Sequence, residues 1–236
     1  MMDADQPKRT IVTGASSGIG EATARVLQRR GDRLVLVQRR VPAVAAEIGA
    51  AVVQCDLAVD GAAEEAVDEA AGHLGGLDVL VANAGTIIRK PALEMSVAEF
   101  RHVIDVDLVA QWALARTAAR HFLAQGTGGA IVLTASIMTY QGGLNVSAYA
   151  AAKAGVASLA RSFANELAAD GVRINCVAPG YVANEQTRPL REDPLRGPAI
   201  TARIPQGRWA RDEEIAEAIA WLSSDAASYV NGTVLT

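Results

Sequence analysis

The chain has 236 residues, half of them hydrophobic, and a formal net charge of −4. A chain of this length can bury one substantial core, so we expect a single domain spanning residues 1–236. The acidic balance and the absence of a lysine or arginine run argue against nucleic acid or an anionic membrane as the main partner.

No apolar stretch is long enough to span a bilayer, and the first six residues are too polar for a signal peptide. We therefore expect a cytoplasmic protein. Cys55 and Cys176 lack a disulfide pattern and are predicted to be buried, reduced thiols. The histidines, His73, His102 and His121, have no metal-ligand spacing with one another or with cysteine, so they are predicted to be solvated helix residues and no metal site is expected.

Strand-like apolar runs alternate with helix-length segments along the whole chain, a pattern typical of a parallel sheet covered on both faces. It predicts an α/β fold with a doubly wound parallel sheet of about seven strands. The predicted strands are Arg9–Thr13, Arg33–Gln38, Ala51–Gln54, Leu77–Ala82, Gly129–Ala135, Val172–Ala178 and Thr233–Leu235. The clearest predicted helices are Gly18–Arg30, Val97–Gln125 and Ala148–Asp170.

The first predicted strand is followed by a glycine-rich turn that opens the first predicted helix. The spacing Gly14-x-x-x-Gly18-x-Gly20 lets backbone N–H groups and the helix N-terminus meet a pyrophosphate. In this context the motif predicts a dinucleotide-binding Rossmann fold. The other residues of the loop expected to contact the cofactor are Ser16, Ser17 and Ile19.

Small and polar residues end the later strands, at the carboxyl edge of the sheet where open α/β proteins bind ligands. Asp56, beside Leu57, is placed to accept a hydrogen bond from an adenine amino group. The short side chains at Asn83, Ala84 and Gly85 let the backbone pass close to a cofactor. Further candidates at this edge are Ser136, Pro179 and Gly180.

Tyr149 and Lys153 are four positions apart on a predicted helix and share a face. The ammonium can lie beside the phenol and favour its ionised form, which makes Tyr149 a candidate acid/base at neutral pH. In isolation the pair could be an accidental helical neighbour. The glycine loop upstream favours the catalytic interpretation.

With these motifs the chain resembles the short-chain dehydrogenase/reductase family over essentially its whole length. The resemblance implies hydride transfer between a nicotinamide cofactor and a secondary alcohol or ketone. It implies that Tyr149 is the general acid/base, that Ser136 polarises the substrate carbonyl and that Lys153 binds the nicotinamide ribose. It also places Val182 and Asn184 among the cofactor contacts. The two long alanine-rich helices, together with the resemblance, predict a homotetramer.

One position departs from the family pattern. The family has an asparagine in the long helix after the fourth strand, where it holds a water linked to the lysine, whereas this chain has Asp107. Either Asp107 takes over the water, or the catalytic site is altered. The remaining alternative is that Asp107 is a solvated helix residue.

The end of the second strand bears on cofactor choice. An acidic residue there would bind the ribose hydroxyls of NAD and repel the extra phosphate of NADP. This chain has Gln38 followed by Arg39 and Arg40, and arginine binds phosphate bidentately. The sequence thus favours NADP(H), with NAD(H) as the alternative because Gln38 can also bond a ribose hydroxyl.

The substrate region is the long segment 181–209, whose four prolines and many charges predict a partly helical loop of the kind that covers a substrate. Stretches around Ile88, Gln141 and Pro205 resemble the branch of the family that acts on deoxy-keto sugar acids, the 2-dehydro-3-deoxy-gluconate 5-dehydrogenases and 2-deoxy-gluconate 3-dehydrogenases. Candidate partners for the substrate carboxylate and hydroxyls are Arg89, Gln141, Asn145 and Arg203. The alternatives are a 3-oxoacyl thioester (acyl carrier protein) reductase and a non-catalytic dinucleotide-binding sensor.

Overall fold

The computed structural model describes residues 7–236, which form one seven-stranded parallel sheet in the order β3-β2-β1-β4-β5-β6-β7. The strands are β1 (Arg9–Thr13), β2 (Arg33–Gln38), β3 (Ala51–Gln54), β4 (Val79–Ala82), β5 (Gly129–Thr134), β6 (Val172–Val177) and β7 (Val234–Leu235). This confirms the predicted doubly wound parallel sheet. The first six residues, which bear on the expected cytoplasmic location, lie outside the described range.

Helices cover both faces of the sheet. They are α1 (Gly18–Arg29), α2 (Ala43–Ile48), α3 (Ala62–Leu74), α4 (Val97–Ile104), α5 (Ala110–Gln125), α6 (Ser147–Leu167), α7 (Arg188–Arg191), α8 (Arg196–Thr201) and α9 (Asp212–Ser223). Short 3₁₀ turns span Ile137–Thr139, Ala168–Asp170 and Asp225–Ala227. In the described part of the chain, none of the helices is long and apolar enough to cross a membrane.

The core has two layers, one on each face of the sheet. On one face, buried side chains of α3, α5 and α6 pack on the strands, with Phe122 and Leu114 among the largest. On the other face, α1, α2 and α9 pack on the strands through residues such as Leu27 and Ile219. Successive residues of the central strands face opposite layers, which is why these strands are apolar without alternation.

The chain crosses from one half of the sheet to the other between β3 and β4, because β4 pairs with β1 on the side opposite β2. At such a switch point the loops after neighbouring strands diverge and leave a crevice at the carboxyl edge. The glycine loop after β1 and the loop after β4 are therefore side by side, and they form the centre of the cavity described below.

The predicted continuous helix Val97–Gln125 is wrong in its middle, where Asp105–Val109 form a π-helical turn between α4 and α5. Leu108 of this turn packs against Gly155 of α6, at which a Cβ atom would lie 2.8 Å from the Leu108 Cδ1. The Gln111 side chain supports the turn by donating to the carbonyl oxygens of Ala84 and Val106, at 2.9 and 3.3 Å. Turns of this kind are frequent at functional sites.

The segment 181–209 contains α7 and α8 and is closed at its base. Val182 and Ala210 form a parallel bridge, and the Tyr181 ring packs on the Trp209 ring with centroids 5.1 Å apart. The indole Nε1 of Trp209 donates to the hydroxyl of Thr201 at 2.9 Å. The loop is thus partly helical, as predicted, and its two ends are held together.

Candidate active site

An open cavity of about 620 Å³ lies along the carboxyl edge of the sheet, at the switch point. Its walls come from the glycine loop, the ends of β2 to β6, and the first half of the segment 181–209. The cavity is lined by every residue predicted to contact the cofactor: Gly14, Ser16, Ser17, Gly18, Ile19, Gly20, Gln38, Arg39, Asp56, Leu57, Asn83, Ala84, Gly85, Tyr149, Lys153, Pro179, Gly180, Val182 and Asn184.

The glycine loop has the shape that a pyrophosphate needs. Gly14 and Gly18 have φ values of +71° and +60°, and a Cβ atom at Gly14 would lie 2.7 Å from the Cα of Ala84. A Cβ atom at Gly20 would collide with the Gly14 carbonyl oxygen. Helix α1 begins here and its N-cap, Ser17, makes no capping bond with its side chain, so N–H groups of the first turn are left for an anion.

Asn83 stabilises the glycine loop through hydrogen bonds, a role that goes beyond the predicted close approach to a cofactor. Its Nδ2 lies 3.3 Å from the carbonyl oxygens of both Thr13 and Gly14. The Thr13 hydroxyl accepts from the backbone N–H groups of Asn83 and Ala84, at 3.0 and 2.9 Å. These bonds fix the ends of β1 and β4 to each other, which preorganises the loop.

At the end of β2, Gln38, Arg39 and Arg40 all line the cavity, but they differ in exposure. Gln38 is buried, its Nε2 donates to the Arg40 carbonyl oxygen at 2.9 Å, and its Oε1 has no hydrogen-bond partner among the described residues. Arg39 and Arg40 are exposed and line the cavity. Two guanidinium groups are therefore available to an anionic group at this position.

Ser136, Tyr149 and Lys153 line the same cavity. The Nζ of Lys153 is buried, donates to the Thr134 carbonyl oxygen at 2.9 Å and lies 5.5 Å from the centroid of the Tyr149 ring. Ser136 follows β5, and its hydroxyl accepts from the Met138 N–H at 3.2 Å, which leaves its own proton free for a substrate oxygen. The arrangement can move a proton and polarise a carbonyl.

Asp107 is buried behind these residues and is not a solvated helix residue. Its Oδ1 accepts from the Thr86 N–H at 2.6 Å, and its Oδ2 lies 3.3 Å from the Lys153 Nζ. A Cβ atom at Gly85 would lie 3.1 Å from this Oδ2, so the glycine leaves room for the pair. Burial by itself lowers the pKa of Lys153, but the Asp107 charge and the Tyr149 phenol outweigh it and raise the pKa above its ordinary value.

Only part of the predicted substrate set lies at the cavity. Arg89 lines it, whereas Gln141, Asn145 and Arg203 do not. Gln141 and Arg203 are exposed, and Asn145 forms a turn with φ +63° in which its carbonyl oxygen accepts from the Lys90 N–H. Cavity-lining residues that were not among the predicted contacts include Ile87, His102, Met138, Leu144, Val146, Tyr181, Leu190 and Arg196.

Asn184 lines the cavity, but its amide is already engaged. Its Nδ2 donates to the Oδ1 of Asp212 at 3.0 Å, and its Oδ1 accepts from the Thr187 N–H at 3.3 Å. The Asp212 carboxylate lies against Gly18 of the glycine loop, and burial raises its pKa. Asn184 thus links the segment 181–209 to the start of α9.

Two of the three histidines lie away from the cavity. His121 pairs with Asp68 at 2.7 Å and His73 with Glu69 at 3.6 Å, while His102 is exposed at the cavity wall. Residues 7–236 contain no group of three or more histidine, cysteine, aspartate or glutamate side chains that could hold a metal ion.

A family model described as enoyl-(acyl carrier protein) reductase matches residues 14–236. A 2-dehydro-3-deoxy-D-gluconate 5-dehydrogenase from Pseudoalteromonas atlantica is 38% identical, over 97% of this chain and 93% of that protein. A cis-4-hydroxycyclohexanecarboxylate dehydrogenase from Sinomonas cyclohexanicum is 45% identical, over 100% of this chain and 96% of that protein. A crystal structure from Beutenbergia cavernae, assigned as an NAD(P)-dependent gluconate 5-dehydrogenase with NADP bound at low occupancy, has a TM-score of 0.93 and 45% identity, covering 98% of this chain and 96% of that one.

Proposed function

Because the chain belongs to the short-chain dehydrogenase/reductase family and is a nicotinamide-dependent oxidoreductase, we propose that it interconverts a secondary alcohol and a ketone in a small hydroxy acid. Deoxy-keto sugar acids are the first candidates. Five relatives at 34 to 38% identity are named 2-dehydro-3-deoxy-D-gluconate 5-dehydrogenases. The observation that carries the proposal is the placement of Ser136, Tyr149 and Lys153 in one cavity with the glycine loop.

The preferred cofactor in this proposal is NADP(H). Arg39 and Arg40 are exposed in the cavity at the end of β2, where Gln38 stands in place of the acidic residue that would repel a ribose phosphate. Two structural neighbours contain NADP, the one from Beutenbergia cavernae and one from Agrobacterium tumefaciens. When bound, the nicotinamide would supply or accept the hydride.

The chain's own residues then handle the proton and the substrate oxygen. Tyr149 gives a proton to the oxygen during reduction and takes it back during oxidation. Ser136 donates a hydrogen bond to the same oxygen. Lys153 is held by the Thr134 carbonyl and by Asp107, so its ammonium keeps one orientation beside the phenol.

A second candidate substrate is a ring hydroxy acid of the kind named for the Sinomonas relative, a cis-4-hydroxycyclohexanecarboxylate. The specific observation is that apolar side chains form part of the wall of the cavity that contains Tyr149, whereas Gln141 and Asn145, two predicted partners for sugar hydroxyls, do not line this cavity. The apolar residues of this wall are Ile87, Met138, Leu144, Val146 and Leu190. Such a wall suits a carbocyclic ring better than a chain of hydroxyls.

The test follows nicotinamide absorbance with NADP(H) and with NAD(H) against three substrate types. These are 2-dehydro-3-deoxy-D-gluconate, cis-4-hydroxycyclohexanecarboxylate and a 3-oxoacyl thioester. We expect turnover of at least one of the two hydroxy acids with NADP⁺. Turnover of the thioester alone would favour the acyl carrier protein reductase. Binding of NADP⁺ without turnover of any substrate would favour a dinucleotide-binding sensor.

A further inference from the structure

Two arginines from different segments of the chain line the cavity. Arg89 belongs to the loop after β4, and Arg196 begins α8 in the segment after β6. We propose that Arg196, together with Arg89, binds the carboxylate of the substrate at the mouth of this cavity. This assignment rests on the proposed function, because it takes the ligand to be a hydroxy acid.

The backbone of Arg196 is fixed by a hydrogen bond to Asp193, while its guanidinium feels the charge of Asp193 without forming a hydrogen bond or a close ion pair with it. The Asp193 carboxylate accepts from the backbone N–H groups of Leu195 and Arg196, at 2.9 and 2.8 Å. These two bonds are the main reason why the pKa of Asp193 is lowered. Among residues 7–236, no hydrogen bond or ion pair within 4 Å engages the Arg196 guanidinium. An arginine whose backbone is fixed and whose guanidinium makes no hydrogen bond within the protein can bind the carboxylate of a ligand.

The second guanidinium belongs to Arg89, whose Nη2 lies 3.4 Å from the carbonyl oxygen of Gln186. This contact joins the loop after β4 to the segment 181–209. It uses one of the five N–H donors of the guanidinium and leaves the others for a ligand.

Among the described residues, two acids line the cavity. They are Asp56, which lies at the end of β3, and Glu185, whose carboxylate pairs with Arg188 at 3.3 Å. Asp56 accepts from the Ala58 N–H at 3.1 Å. Because Glu185 is paired with Arg188, the guanidinium groups of Arg89 and Arg196 are available to an anionic ligand in this cavity.

The apolar residues, these arginines and Tyr149 line one cavity. A ligand that satisfies both features has a carboxylate at one end, a secondary alcohol at the other and a compact body with few hydroxyls between them. The chemical class is thus a short hydroxy acid. Its carboxylate binds to Arg89 and Arg196, and its alcohol lies at Tyr149 and Ser136.

The variant that tests this is Arg196→Gln, with Arg203→Gln as the matched control because Arg203 lies on the same segment, exposed and outside the cavity. Each protein is assayed with NADP⁺ on cis-4-hydroxycyclohexanecarboxylate and on its neutral carboxamide. In Arg196→Gln we expect KM for the acid to rise about 10- to 100-fold, the range of a lost charge-assisted bond, with kcat changed far less. KM for the carboxamide should change less than about 2-fold, since it presents no charge to the arginine.

A second readout does not depend on turnover. The NADP⁺-loaded proteins are titrated calorimetrically with cyclohexanecarboxylate and with cyclohexanecarboxamide, neither of which has an alcohol to oxidise. We expect the wild type to prefer the carboxylate and Arg196→Gln to lose that preference. A third outcome separates the two proposals: no hydroxy acid is turned over, yet the wild type prefers the carboxylate and Arg196→Gln does not. The proposed function is then wrong, while the assignment of Arg196 as the carboxylate-binding residue is supported. No carboxylate preference in the wild type, or an equal loss in Arg203→Gln, overturns that assignment.

Discussion

The Nζ of Lys153 and the Oδ2 of Asp107 lie 3.3 Å apart, and both side chains are shielded from solvent. The carboxylate therefore offsets part of the field that the ammonium exerts on the Tyr149 phenol. The other titratable group beside Lys153 is Cys176, and burial raises the pKa of that thiol to about 12, so it adds no charge near neutral pH. Asp107 is thus the residue that sets the net charge next to the acid/base.

Asp107→Asn should move the pH profile of alcohol oxidation to lower pH. Without the negative charge, the ammonium favours the Tyr149 phenolate more strongly, so kcat/KM rises at lower pH. The pKa of Lys153 also falls, because Asp107 helps to raise it, so the ammonium is lost at lower pH and the descending limb moves in the same direction. The measurement is kcat/KM against pH for both proteins, which reports ionisations of the free enzyme.

The outcome separates two roles for Asp107. If the carboxylate relays the proton or holds the relay water itself, the asparagine variant slows without the shift to lower pH. An unchanged profile with an unchanged rate would mean that Asp107 does not influence the reaction, despite its contact with Lys153.

Tyr149→Phe should lower turnover by about 100- to 10,000-fold, the range typical of a general acid/base. The ring is kept, so NADP⁺ affinity measured by titration should be nearly that of the wild type. Tyr140→Phe is the control, because Tyr140 is 58% exposed, lies outside the cavity wall and loses the same hydroxyl. Near-normal turnover in Tyr149→Phe would refute the assigned mechanism.

Arg39→Ala should raise KM for NADPH about 10- to 100-fold, because a charge-assisted bond to the ribose phosphate is lost. KM for NADH should change little, since NADH has no phosphate at that position. Arg33→Ala is the control, an exposed arginine at the opposite end of β2. Equal effects of Arg39→Ala on the two cofactors would show that Arg39 does not recognise the phosphate, a result that direct titration with NADP⁺ and NAD⁺ can check.

The sequence was most informative where local physics decides the structure. The bounds of β1, β2 and β3 coincide with the apolar runs, and the glycine loop follows from φ values that few other residues adopt. The π-helical turn at Asp105–Val109 was not predictable, because it depends on Leu108 packing against Gly155, a contact between elements far apart in the chain. The burial of Asp107 follows from that turn.

The substrate residues were harder to predict for a related reason. In a loop without periodicity, no sequence signal tells which side of the chain faces the cavity, so Arg203 and Arg196 look alike in the sequence. Only the fold shows that Arg196 lines the cavity while Arg203 is exposed outside it.

Asp78→Asn should destabilise the fold by about 1 to 3 kcal/mol at neutral pH, the range of a charge-assisted hydrogen bond. Asp78 accepts from the Arg9 Nε and Nη2 at 2.9 and 2.6 Å, and from the Arg9 backbone N–H at 2.8 Å, so it ties β1 to the start of β4. Burial opposes ionisation of Asp78, but the bonds from Arg9 outweigh it and lower its pKa below the ordinary 3.8.

Since the folded pKa is lowered, the contribution of Asp78 is complete above about pH 4, the unfolded value, and is lost as pH falls through the folded pKa. Urea unfolding at pH 7 and at pH 3 should therefore show a gap between wild type and variant that narrows in acid. Asp60→Asn, at an exposed aspartate, is the control and should leave the free energy of unfolding unchanged. A gap that stays constant between the two pH values would contradict the assigned ion pair.

We also predict a homotetramer, or at least a dimer, formed through α4, α5 and α6. Val109, Trp112 and Leu123 follow a helical spacing and are partly exposed, with Val109 at 47%, so they form an apolar stripe that association would bury. Val109→Glu places a charge in this stripe and should shift the sedimentation coefficient to smaller species at micromolar concentration. Val59→Glu is the control, because Val59 is the same residue type and is 59% exposed but lies in the loop after β3. A wild type that sediments only as a monomer would rule the assembly out, and an equal shift in both variants would place the interface elsewhere.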